Sequence, residues 1–199
     1  MSKLTSQFFQ QKASLVAKSL IGKVLVRRVG KNKISGIIVE TEAYIGSHDL
    51  ACHASKGKTE RTKVMFEKGG IWYVYFIYGM YFNLNIVTEN ENCPTAVLIR
   101  SIEPLEGAEE MKKNRKTDNF FNLTSGPGKL CQALKIDKSF NATSATSKNT
   151  ELYIEDRGIK ISPREIEKAK RIGIDYSGIW KDKLLRFYLK GNPFVSKKD

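Results

Sequence analysis

This chain is poor in the residues on which many common chemistries depend. Its 199 residues include three cysteines, two histidines and five prolines. Cys52, Cys93 and Cys131 are odd in number, widely spaced and form no CxxC pair. Neither a disulfide framework nor a cysteine zinc site is indicated, and a reducing, cytoplasmic compartment is the expectation. Long hydrophobic runs are also missing, which excludes a spanning helix, so a soluble protein with no membrane partner is expected. The opening "MSKLTSQFFQQKASLVAKSLIGK" breaks its apolar residues with Gln and Lys and lacks the apolar stretch of a signal peptide. With no internal repeat and no proline-rich linker, residues 1–199 read as one domain. Acidic residues are the last deficit: Asp+Glu 21 against Lys+Arg 34 leaves a net charge of +13. Such an excess predicts attraction to a polyanion, nucleic acid first and an acidic membrane surface second. A generically basic surface without a partner is the alternative.

Aromatic residues, in contrast, are concentrated. In "IWYVYFIYGMYFNLNIV", seven aromatics lie between Trp72 and Phe82. Alternation puts Ile71, Tyr73, Tyr75 and Ile77 on one face of a strand and Trp72, Val74, Phe76 and Tyr78 on the other. Both faces are apolar, which predicts cover on both sides. Trp72 and Phe76 read as core. Tyrosine hydroxyls need partners or water, and tyrosines near a turn in a basic protein suit base stacking, with lysine and arginine on the phosphates.

The remaining pattern is one of hairpins with helices between them. Thr5 or Ser6 can cap a helix to about Leu20, with Phe9, Leu15, Val16 and Leu20 at roughly helical spacing and Gly22 at its end. "KVLVRRV" and "ISGIIVETEAYI" read as paired strands around "GKNK". Residues 46–63 read as loop. Two strands flank Tyr78-Gly79-Met80, where Gly79 permits a positive φ. "TAVLIRSIEP" is a further strand, followed by a short helix over about Leu105–Lys113. "KNRKTDNFFNLT" reads as a surface loop, "SGPGKLCQALKI" as a helix, "TSATSKNT" as a connector and "ELYIED" as a strand. "SPREIEKAKRIG" has the signature of a capped helix, with Ser162, Pro163 and Glu165 in place. "LLRFYLKGNPFVS" is a last strand. The class is α+β rather than a βαβ array.

In "IIVETEAYIG", Glu40, Glu42 and Tyr44 share a face, opposite Val39, Thr41 and Ala43. A solvated acidic face is the plain reading. Yet Ile38 and Tyr44 share that side, and the adjoining loop holds His48 and His53, a grouping from which a catalytic pocket can be built. A metal site from Glu40, Glu42, Asp49 and the histidines is an alternative, but the spacing matches no zinc or two-metal pattern, so no metal ligand is assigned. A Ser/His/Asp triad lacks its nucleophile elbow. "TSGPGKL" is no phosphate loop, because Leu130 follows the lysine where Ser or Thr is required.

The blocks "VETEAY", "ACHAS", "YVYFIYGMYFNLNI", "VLIRSIEPLEG", "SGPGKLCQAL" and "RFYLKGNPFVS", in this order, resemble the 3-methyladenine DNA glycosylases of the alkyladenine type, over roughly residues 10–196. The resemblance implies a single mixed, mostly antiparallel curved sheet with surrounding helices and a protruding hairpin that enters DNA. It implies that Glu42 activates a water and that Arg100 holds that water and nearby backbone. Tyr44, His53 and Tyr75 would hold the flipped base, and Asn85 would crowd the 2-amino group of undamaged guanine. Tyr78, with Met80 beside it, would fill the gap left in the stack. A cationic base such as 3-methyladenine is drawn to aromatic faces and is a good leaving group, so one general base on water suffices. The resemblance thus implies base release without strand cleavage, no cofactor, double-stranded DNA with damaged bases as partner, a monomer, and nucleoid association if the cell is prokaryotic. Two rivals stay open: a noncatalytic module for single strands or structured RNA, and a metal-dependent nuclease using Glu40 and Glu42.

Overall fold

The computed structural model describes residues 2–77 and 79–196. Strands β1 (Ser2–Lys3), β2 (Val24–Val29), β3 (Asn32–Tyr44), β4 (Trp72–Ile77), β5 (Tyr81–Thr88), β6 (Thr95–Glu106), β7 (Leu152–Asp156), β8 (Ile166–Ala169) and β9 (Arg186–Leu189) form one open nine-stranded sheet. Its main path runs β1-β7-β2-β3-β6-β5-β4, and β9 joins it through β3 and carries β8. The pairings are antiparallel throughout. Helices α1 (Ser6–Phe9), α2 (Ala13–Leu20), α3 (Ala108–Arg115) and α4 (Pro127–Ala133) complete the α+β arrangement.

Strand β3 organises the sheet. One edge pairs with β6; the other pairs first with β2, through Ile37, and then with β9, through Glu40–Glu42. The change of partner coincides with register shifts between Ile38 and Glu40 and between Glu40 and Thr41, where an extra residue bends the strand. Ile38 consequently joins the main core with Ala43 instead of sharing the side of the two glutamates.

The main core lies under α2 and α4. It joins Val16, Ala17 and Leu20 to Leu130 and Ala133, and to Ile34, Trp72, Leu84, Ile99 and Leu152 of the sheet. A second, smaller cluster forms where the 46–66 segment folds back: Cys52, Ala54, Val64 and Met65 against Tyr73, Val87 and Ala96. The segment that reads as polar loop is therefore half structure. It contains two short 3-10 turns, His53–Lys56 and Lys63–Phe66, and buries Asp49, Ala51, Cys52, Ala54 and Thr62 as well as Val64 and Met65.

Several local expectations are corrected. The first helix is interrupted after Phe9, and Leu15 is 53% exposed whereas Val16 and Leu20 are buried. Phe76, expected in the core, is 51% exposed, stacked on Phe82 at 4.9 Å, while Trp72 is buried and donates Nε1–H to the Leu152 carbonyl at 3.0 Å. At 162–173 the capping box forms as read, Ser162 bonded to the turn and Glu165 reaching back, but the turn stops at Glu165 and β8 follows. Pairing of Ile166–Ala169 with β9 outweighs the helical propensity of "EIEKAK". The last strand keeps only Arg186–Leu189, and Asp175–Asp182, unassigned from the sequence, forms 3-10 turns. Gly79 has the expected positive φ, +66°, in the turn between β4 and β5. No helix among the described residues is long and apolar enough to cross a membrane.

Candidate active site

On the face with the smaller cluster, a cavity of about 340 Å³ opens beside the middle of the sheet. Its walls come from three places. β3 supplies Tyr44; β4 and β5 supply Tyr73, Tyr75, Asn83 and Asn85; the 46–66 turns supply Cys52, His53 and Met65. Arg100 of β6 forms part of the floor, and Ile172–Ile174 with Tyr176 close one side. Strand alternation accounts for the tyrosines: Tyr73 and Tyr75 sit two apart on the cavity face, while Trp72 and Val74 enter the main core.

Of the residues singled out from the sequence, Tyr44, His53, Tyr75, Asn85 and Arg100 all line this cavity. Glu42 lies behind it, fully buried, bonded to three lining residues. Tyr44 donates its hydroxyl to Glu42 Oε2 at 2.9 Å, the Ile172 N–H donates to Oε1 at 2.8 Å, and Arg100 Nη1 sits 3.2 Å from Oε1. An ionised carboxylate offers about four acceptor positions. Oε2 thus keeps one that none of these contacts uses. Met80 is 62% exposed in the β4–β5 turn and is no part of the cavity wall. Tyr78 lies outside the described residues.

The second glutamate is arranged otherwise. Glu40 receives Arg100 Nε at 3.0 Å and Arg186 Nε at 2.8 Å on Oε1, the Ser196 hydroxyl on Oε1, and the Ser101 hydroxyl and Ser196 N–H on Oε2. Burial pushes its carboxyl up, but Arg100, the Ser196 N–H and Arg186 together outweigh burial and hold it below its ordinary value. Arg100 spans both carboxylates. Burial alone would lower its affinity for a proton, but Glu42 and Glu40 raise it. The acidic stripe of "ETE" is therefore not a solvated face: both carboxylates are 0% exposed.

The cavity rings are held by polar contacts at their edges. His53 Nδ1 lies 2.9 Å from the Tyr73 hydroxyl, and its ring meets Tyr75 edge-on at 4.6 Å. Burial, with Arg61 and Lys56 nearby, drops the imidazole to about 4, so His53 is neutral near pH 7. Burial pushes the Tyr75 phenol up to about 12, opposed by the Asn83 amide, which donates to its oxygen at 3.2 Å. Burial and then Glu42 raise the Tyr44 phenol well above its usual range, so it stays a donor. Asn85 donates to the Tyr73 carbonyl at 3.2 Å, which fixes its amide in the wall.

Three contributors went unread in the sequence. Arg171 makes a fully buried two-pronged pair with Asp49, at 2.5 and 2.8 Å, and its guanidinium lies 4.8 Å from the Tyr44 ring centre. One of many cations in "KAKRIG", it carries no local mark. Asn83, in the wall beside Asn85, was passed over in the same hairpin. Arg186 left a signal: in "LLRFYL" a charge sits where strand alternation calls for burial.

The model of the Methylpurine-DNA glycosylase (MPG) family matches residues 7–193. The chain is 48% identical to the protein named "Putative 3-methyladenine DNA glycosylase" of Clostridium perfringens (strain SM101 / Type A), over 98% of this chain and 100% of that one. Proteins of the same name are 50% identical in Prosthecochloris aestuarii, over 99% and 92%, and 46% identical in Legionella pneumophila (strain Corby), over 99% and 100%. With a match across almost its whole length, the chain belongs to the methylpurine-DNA glycosylase family.

Proposed function

We propose that this protein is a monofunctional 3-methyladenine DNA glycosylase that draws an alkylated purine out of double-stranded DNA and hydrolyses its N-glycosidic bond. The observation that carries the reading is the hydrogen bond from Tyr44, a ring of the aromatic cavity, to the buried carboxylate of Glu42. A carboxylate is thus placed directly behind a chamber whose volume falls in the ~300–1,000 Å³ range of small-molecule sites.

A base inside a duplex is out of reach, so it must be extruded. Tyr44, His53 and Tyr75 would enclose it, and because His53 is neutral it does not repel a cationic base. Asn85, its amide fixed by the Tyr73 carbonyl, would crowd the 2-amino group of an undamaged guanine. Tyr78 and the exposed Met80 would fill the space vacated in the stack. Glu42 Oε2 would accept a proton from a water whose oxygen bonds to C1′ as the C1′–N bond breaks. The bonding pair leaves with the base, and a cationic 3-methyladenine departs neutral. The strand keeps an abasic site and no backbone bond is cut. Arg100, shared between the glutamates, would hold Glu42 in place. Action as a monomer, without a cofactor and in the cytoplasm is part of the same proposal.

A nuclease using Glu40 and Glu42 on a metal is disfavoured because arginines and serines already occupy the oxygens of Glu40. A pure binding module gives the buried Glu42 no task. The deciding experiment is base release from a duplex of methylated purines, at enzyme excess and with a chelator, for wild type and Glu42→Gln. The expected result is free 3-methyladenine and an intact strand with wild type, and binding without release by the variant. Binding without release by both would leave the binding module as the reading.

A further inference from the structure

A second cavity, of about 280 Å³, adjoins the first. Cys52, His53 and Tyr176 line both, so His53 and Tyr176 form the partition between them. The two chambers differ in chemistry. The first is walled by rings and amides with Arg100, which is already paired with Glu40 and Glu42; the second holds Lys56 and Arg61 with the hydroxyls of Ser55 and Thr59, and no carboxylate among its lining residues. Neither cation has a salt-bridge partner among the described residues. The loop that carries them is stitched internally. Thr62 donates its hydroxyl to the Gly57 carbonyl at 2.9 Å, and it also accepts from the Thr59 N–H at 2.8 Å. Two cations therefore line the second chamber, and the Arg61 guanidinium lies 5.2 Å from the Tyr75 ring centre of the first.

We infer that this second chamber is a phosphate site, which takes a phosphodiester next to the extruded nucleotide while the base occupies the first chamber. The inference rests on the glycosylase reading of the first chamber. The juxtaposition matches the layout of a nucleotide: the sugar separates base from phosphate, as the His53–Tyr176 partition separates the chambers. Paired cations and hydroxyls provide the charge-assisted donors that a phosphodiester oxygen accepts. Tyr176, 72% exposed, presents its ring at the crossing. The field of Lys56 and Arg61 also reaches the first chamber, where it contributes to keeping His53 unprotonated.

The test is a binding cycle. The probe is a duplex with one 3-deaza-3-methyladenine, a stable isostere of the lesion, with either flanking phosphodiester replaced in turn by an uncharged methylphosphonate. Expected with wild type is a loss of about tenfold or more in affinity at one of the two linkages, the loss that follows from removing a charged hydrogen bond. Lys56→Ala/Arg61→Ala should show the same loss on the unmodified duplex and no further loss on that methylphosphonate, and Lys56→Ala alone with Arg61 retained should be intermediate. Both residues are exposed, so the fold is expected to survive, and far-ultraviolet circular dichroism checks it. Equal losses on every duplex, or none, would overturn the inference. A titration of free protein with inorganic phosphate separates the sources. No saturation below about 10 mM is expected for a site completed by DNA; saturation lost in the double variant would mark a small-anion site instead and overturn it. Base release assayed in parallel keeps the two readings apart: release with an additive cycle removes only the phosphate site, and a non-additive cycle without release removes only the glycosylase.

Discussion

The two faces of the sheet are buried by opposite means. Under α2 and α4 the sheet meets aliphatic side chains, and burial is stabilised by area alone. On the other face a small apolar cluster surrounds charged and hydroxyl groups: Glu40, Glu42, Asp49, Arg100, Arg171 and Arg186 are all buried. Charges removed from water are tolerable only when paired and hydrogen-bonded. Here they are, and the pairing is unequal. Among the described residues, Glu40 receives five donor contacts and is sealed; Glu42 receives three, which leave an acceptor position on Oε2. Two carboxylates one strand repeat apart thus differ in how many partners each has, and the proposed general base is the one with fewer.

The largest expected effect falls on the carboxylate proposed as the general base. Glu42→Gln should lower base release by about 10³-fold or more, within the range for losing a general base, while its thermal midpoint stays close to wild type. Single-turnover assays with a melting curve check both. The other carboxylate should behave in reverse: Glu40→Ala leaves Arg186 and Arg100 without their shared carboxylate and should cost roughly 3 kcal/mol of stability, read by urea unfolding. If Glu40→Ala is folded and stable but inactive, the division of labour is wrong.

The aliphatic face offers a control within one helix. Leu20→Ala should cost about 3 kcal/mol and Leu15→Ala less than about 0.5, because only Leu20 is enclosed. Equal costs would show that α2 does not sit as described. His53 provides the pH test. Its folded imidazole titrates near 4 and an unfolded one near 6.5, so the unfolded chain binds more protons between those values. Stability from this residue is complete above pH 6.5 and is lost as pH falls towards 4, by roughly 2 kcal/mol allowing for partial exposure. His53→Gln should flatten that window; loss from Glu40 comes lower, below its unfolded value of 4.5. Smallest is Phe76→Ser, at under about 0.5 kcal/mol of stability, since half of the ring is in solvent.

Local pattern reached much of this molecule. The β2–β3 and β4–β5 hairpins, β6 and α4 follow from alternation, turn residues and a Gly-Pro start. Failures came where a neighbour far along the chain decided the outcome. "SPREIEKAK" carries a real capping box, yet β9 recruits the next residues as a strand. Phe76 has the pattern of a core residue but lies near the turn end of the hairpin with half of its surface in solvent.

The site divides in the same way. Its members could be named from ordered blocks in the sequence, because residue types and spacing survive in the primary structure. Whether "ETE" faced water, and which glutamate was free, could not be read there, since alternation assigns a face but not what covers it. Arg171 is 122 positions from Asp49 and Arg186 is 146 from Glu40. By itself the sequence determined the strand pattern, the basic charge, the aromatic concentration and the family. Tertiary structure decided which charges are buried together, which carboxylate keeps an open position, and that two chambers share one wall, because burial and pairing depend on contacts between segments that no local pattern encodes.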